Sequence, residues 1–336
     1  MNYDAGDILK SLLARSFSAA GGNAPGPEHS AVLVCNKGDR TVGIIDPREG
    51  KEIATIPDSG VTVHEVVATP GGRTAFAPVY GNSGVGMPGS DGRTIDVIDV
   101  PARKRIHTIA LGKPSRPHCV MINRRDGLVY VTAEIQNSVI VIDPGTFKVV
   151  AWIPTGQPQS HMLAIARDGK RAYTANVGPG TVSVLDLVRR RTLAIIPVAR
   201  TIQRISVSMD GRYVFTADQN APRLAVIDAR ANTVIRWILL PSVAFGTAPT
   251  LDGHWLMVTQ PEKNSVALVK LRTMRVAKMI RVGRMPQEII VTPDGSTAFV
   301  SCMASRQVAE IDLNSWRVER LIPAGRTCDG LAWAQA

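Results

Sequence analysis

Histidine is scarce in this chain, with six in 336 residues, and three of the six stand at matching places: His64, His118 and His161. Each precedes an apolar run followed by a turn and a second apolar run, as in "PSRPHCVMINRRDGLVYVTA". Three neutral imidazoles brought to one point would offer three nitrogens to one face of a metal and leave other coordination positions open. Zinc, iron and copper all accept such a set, so the expected cofactor is a divalent metal of undetermined identity. Bound there, it would polarise a carbonyl or activate water, and a carboxylate would move the proton. Glu134 and Asp218 stand near the ends of second strands on the same side and are the candidate general bases.

That chemistry requires a frame that repeats. Beyond residue 30 one phrase recurs: an apolar run, a "DG" turn, a run such as "AYTAN", and a run ending in "VID" or "VLD". Each copy holds four short β-rich segments separated by turn residues, the pattern of one propeller blade. The residues just before the first run of each unit are His64, His118, His161, Gln203, Phe245, Gln287 and Asp329, spaced by 54, 43, 42, 42, 42 and 42. The final unit, "DGLAWA", lacks three strands, and the segments "AVLVCNK", "TVGIIDP" and "KEIATIP" near the start supply them. The expectation is an all-β, seven-bladed propeller over residues 31–336, closed by both ends of the chain in one blade, so that no sheet edge is left open. Residues 1–30 are expected to form a short amphipathic helix, with Ile8, Leu9, Leu12, Leu13 and Phe17 on one stripe, and a linker.

The seven equivalent positions should line one mouth of the central channel, where a small-molecule ligand would bind. His64, His118, His161 and Asp329 are the candidate metal ligands, and Gln203, Phe245, Gln287 and Tyr80 the candidate ligand contacts. The long connection "VYGNSGVGMPGSDGR" falls on the same side and reads as a lid. It is no phosphate loop, because it joins two strands with no helix after it.

The phrases "VYVTAEIQNSVIVID", "AYTANVGPGTVSVLD" and "RVGRMPQEIIVTPDG" resemble YVTN-repeat β-propellers, the group of YncE-like and lactonase-like seven-bladed proteins. The resemblance covers residues 31 to 334 and implies the fold. For function it implies a metal-dependent hydrolase or lyase opening a small ester or lactone, with two alternatives. One is a non-catalytic YncE-like module binding a ligand, nucleic acid or protein. The other is a redox protein holding copper or iron.

Other features read as structure. Asp46, Asp99, Asp143, Asp186, Asp228 and Asp312 end third strands, where short acids bond turn backbone. Four cysteines without a CxxC pair argue against a zinc ribbon or disulfide framework. The net charge of +11 concentrates in turns of the face away from the mouth, which opens it to an anionic partner. Aspartates dilute that field and no aromatic residues interleave for base stacking, so the face reads first as solvated. No apolar run is long enough to span a bilayer. Aspartates stand where a signal peptide would be positive, so the chain as given is expected in the cytoplasm, or in the periplasm if a leader has been removed.

Overall fold

A computed structural model describes residues 30–335, so the expected N-terminal helix lies outside the described residues. Seven four-stranded antiparallel sheets stand around one axis, each running from an inner to an outer strand in chain order. The one exception to that order is the closing blade. There Cys328–Ala334 is innermost and is followed by Ala31–Asn36, Thr41–Asp46 and Lys51–Pro57, with Leu33 opposite Ala332 and Val34 opposite Leu331. The seven-bladed architecture and its closure therefore stand as read from the repeat.

The strand sequences follow from this packing. A middle strand is covered on both faces by the neighbouring blades, so Val129–Ala133, "VYVTA", is buried at every position. An outer strand has only one covered face and an open edge, and Arg191–Pro197, "RTLAIIP", accordingly alternates exposed and partly buried residues. The apolar clusters lie between blades: Val139, Val184 and Ile227, from three successive blades, belong to one of them. All six third-strand aspartates accept from turn backbone. Asp143 takes the Gly145 N–H at 2.8 Å, and Asp228 takes both Arg230 and Ala231 N–H at 2.8 Å. Among the described residues no helix is long and apolar enough to cross a membrane.

A lidded channel mouth lined by histidines

Because each inner strand begins at the same end of the ring, the residues that precede these strands meet near the axis. A cavity of about 170 Å³ lies there, lined by His64, His118, His161, Gln203, Phe245 and Asp329, six of the seven equivalent positions. Tyr80 also lines it. The seventh position, Gln287, is not among the lining residues; its amide nitrogen donates to the Met285 and Pro286 carbonyls. Asp218 is buried outside the cavity, where it accepts from Arg223 Nε at 2.8 Å and from the Asn220 N–H at 2.9 Å, so its carboxylate is engaged in turn structure. Glu134 does reach the site.

The three imidazoles cluster closely. His118 and His161 stack with ring centroids 3.5 Å apart and planes 30° apart, while His64 meets His118 edge-on at 5.2 Å. Ring-nitrogen lone pairs lie in the ring planes, so stacked rings send them side by side and not to a common point. Among the described residues no group of three or more His, Cys, Asp or Glu side chains is arranged to hold a metal ion. Asp329 is bound elsewhere: its carboxylate faces Arg204 Nη2 at 3.1 Å and Lys37 Nζ at 2.8 Å.

Burial keeps the imidazoles neutral. His64 is pushed down to about 3, chiefly by loss of water and next by the Lys37 charge; desolvation also lowers His118 and His161. Glu134 loses water as well, but hydrogen bonds from His161, Tyr80 and the Gly86 amide outweigh that loss and hold its carboxyl below the usual range. An ionised carboxylate only accepts, so the proton between Glu134 Oε2 and His161 Nδ1, 3.4 Å apart, belongs to the imidazole, and His161 Nε2 carries the lone pair. His118 Nδ1 is buried and has no hydrogen-bond partner among the described residues.

The connection after Tyr80 covers this cavity with Ser83, Gly84 and Val85. Two buried side chains hold it down. Glu134 accepts from the Gly86 N–H at 3.0 Å and from Tyr80 Oη at 2.5 Å. Arg116 donates to the Met87 carbonyl at 2.6 Å and to Asp91 at 2.5 Å, and lies 3.6 Å from Glu134. Gly86 has a positive φ of 69°, which favours glycine, and a side chain there would have to displace the Gln159 amide.

Beneath the histidines lies an ion cluster absent from the sequence-based site. Arg204 Nη1 bonds Glu65 at 2.8 Å and also Glu288, and its guanidinium lies 4.8 Å from the Phe245 ring. Arg204 is one residue past Gln203, Glu65 one past His64, and Glu288 one past Gln287. Three charged residues at a position that is Cys, Met or Gly in the other blades, two acids among them and one base, are the signal that marks the cluster in the sequence.

The class is thus a seven-bladed propeller with a lidded, imidazole-lined channel mouth. Residues 123–239 match the family model described as the Cytochrome D1 heme domain, a segment holding Glu134, His161, Gln203 and Arg204. Among solved structures the chain is similar to Kuenenia stuttgartiensis hydrazine synthase, with a TM-score of 0.67 and 16% identity over 80% of this chain and 89% of that one. At that identity the likeness is one of fold. No curated protein matches the chain. The YVTN-repeat resemblance rests on the quoted phrases, and neither match names that family.

Proposed function

We propose that the chain is a redox propeller that takes an iron-bearing group of haem type at its histidine-lined mouth. The observation that carries this reading is the match of residues 123–239 to the Cytochrome D1 heme domain, taken together with the mouth that this segment helps to build. The donors suit such a group. Haem iron is commonly held by a single histidine, and ligating histidines usually give their second ring N–H to a carboxylate. His161 does this with Glu134, and His118 Nδ1 lacks a partner among the described residues. Both rings are neutral, as ligation requires.

The space does not suit it while the loop is down. Pockets for drug-sized ligands run to roughly 300–1,000 Å³, and a macrocycle belongs in the upper part of that range, far above the cavity's 170 Å³. The binding-competent form is therefore one with the loop lifted from Glu134 and Arg116. In it Glu134 keeps the His161 ring oriented, and Arg204, neutralised by its carboxylates, closes the channel floor. The comparisons favour this redox alternative over opening of an ester or lactone, for which neither gives support.

The test is spectroscopic. Freshly purified protein is assayed for iron and for a Soret band, and metal-free protein is titrated with haem. Stoichiometric uptake that His161→Ala or His118→Ala weakens at least about tenfold supports the reading. Uptake that all three single histidine variants leave unchanged, or no uptake even with the loop shortened, overturns it.

A further inference from the structure

Another cavity lies on the opposite face, between the blade that starts at Ser160–Ile165 and the one that starts at Ile202–Val207. This cleft of about 1030 Å³ is bounded by three turns, 166–171, 209–212 and 228–230. They bring five cations to it: Arg167, Lys170, Arg171, Arg212 and Arg230. Three carboxylates also line it, and each is already committed to turn backbone. Asp168 accepts from the Lys170 N–H at 2.9 Å, Asp210 from the Arg212 N–H at 3.0 Å, and Asp228 from the Arg230 N–H at 2.8 Å.

Arg171 donates to the Ala229 carbonyl at 2.8 Å, which ties one wall of the cleft to the other. Arg167, Lys170, Arg212 and Arg230 are exposed, and among the described residues none is in an ion pair. Four exposed cations thus stand around a cleft whose three acids are turned into its rim, with the Arg212 guanidinium also 5.4 Å from the Tyr213 ring. Guanidinium forks fit phosphate oxygens in pairs, and a cleft of this size exceeds what a single phosphate fills.

We infer that the cleft between these two blades binds a small molecule bearing a chain of phosphates, held by Arg167, Lys170, Arg212 and Arg230. This inference is independent of the mouth on the other face.

The test is calorimetric titration of the full chain with tripolyphosphate, ATP and AMP at low and high salt. The cleft variant Arg167→Ala/Arg212→Ala/Arg230→Ala is compared with Arg272→Ala/Arg275→Ala/Arg317→Ala, which removes the same charge from exposed turn and strand-start positions of the same face. Both are checked for unchanged melting. The expected result is binding of ATP and tripolyphosphate that salt weakens, a loss of about tenfold or more in the cleft variant, and near-wild-type affinity in the other. Tripolyphosphate matching ATP would make the phosphate chain sufficient; ATP binding much more tightly would identify a nucleotide as its source. Equal weakening in the two variants, AMP binding as tightly as ATP, or no binding at low salt would overturn the inference.

Discussion

Replacing Glu134 by glutamine tests how the lid is held. The amide oxygen can still accept from the Gly86 N–H in the place of Oε1, while the amide nitrogen takes the place of Oε2 and donates to Tyr80 Oη, so the shape is preserved and the charge is lost. Hydrogen bonds to charged groups contribute about 1.5–3 kcal/mol and neutral ones about 0.5–1.5. The bond to Gly86, 3.0 Å long, should thus weaken by about 1–1.5 kcal/mol. Arg116, 3.6 Å away, loses one of its two carboxylate neighbours but keeps Asp91. The total of about 1–3 kcal/mol corresponds to a closing equilibrium roughly 5- to 150-fold less favourable. Amide hydrogen exchange reads this directly, because the Gly86 proton is the one Glu134 protects. Its exchange should accelerate by that factor while the Val129–Ala133 amides keep their rates. If the mouth takes haem as proposed, the same variant should also bind it more readily, because the open form is more populated. An unchanged Gly86 rate would show that the loop is held by something other than Glu134. Parallel acceleration of the strand amides would show that the whole blade had been weakened.

The neutral histidines make metal-free protein acid-sensitive. Their folded pKa values lie below the unfolded value near 6.5, so below pH 6.5, and for His64 down to about 3, the unfolded chain binds more protons and stability falls as pH falls. Each such histidine contributes a slope of about 1.4 kcal/mol per pH unit, so chemical denaturation from pH 7 to 5 should show a fall that His118→Gln makes shallower by about that amount. Arg204→Leu leaves Glu65, Glu288 and Asp329 without the guanidinium that pairs them, with Lys37 still on Asp329, and should destabilise by about 3–5 kcal/mol, read as a lowered denaturation midpoint. An unaltered midpoint would mean that the carboxylates take up protons freely. Removal of residues 329–336 strips the inner strand from Ala31–Asn36 and should give aggregated protein; soluble protein with an unchanged melting temperature would contradict closure through that pairing. Exchange of the Gly81–Gly92 loop for a two-residue turn should leave the fold intact and expose His118 to diethyl pyrocarbonate, whereas continued protection would place the barrier elsewhere.

The frame was legible because a propeller writes itself into the sequence once per blade. Spacings of 42 residues and the aspartates that end third strands are local features, and local turn chemistry determines them. The register of the mouth was legible for the same reason: six of the seven residues picked by spacing meet at one cavity. Rotational equivalence brings side chains to the axis but does not determine their ring angles, so the stacking of His118 on His161 could not be read from spacing. Asp218 shows the other limit. It shares a register with Glu134, yet its own blade supplies Arg223 five residues later and draws it into the turn. Gln287 likewise satisfies its amide against neighbouring backbone. The Arg204 cluster depends on pairings across the ring, 139 residues from Glu65 and 125 from Asp329, which no single repeat contains.

Closure of the ring through the last strand also sets the order in which the site can come into being. Asp329 lies on that strand, Lys37 follows the strand that pairs with it, and together with Arg204 they form the floor of the mouth. A chain with six blades built has all three histidines but an Arg204 short of Asp329 and of the Lys37 that joins it there. Docking of the final strand therefore completes the fold and the pocket in one event. Any cofactor that needs the finished floor would be excluded from partly folded chains, so loading would report that the ring is whole.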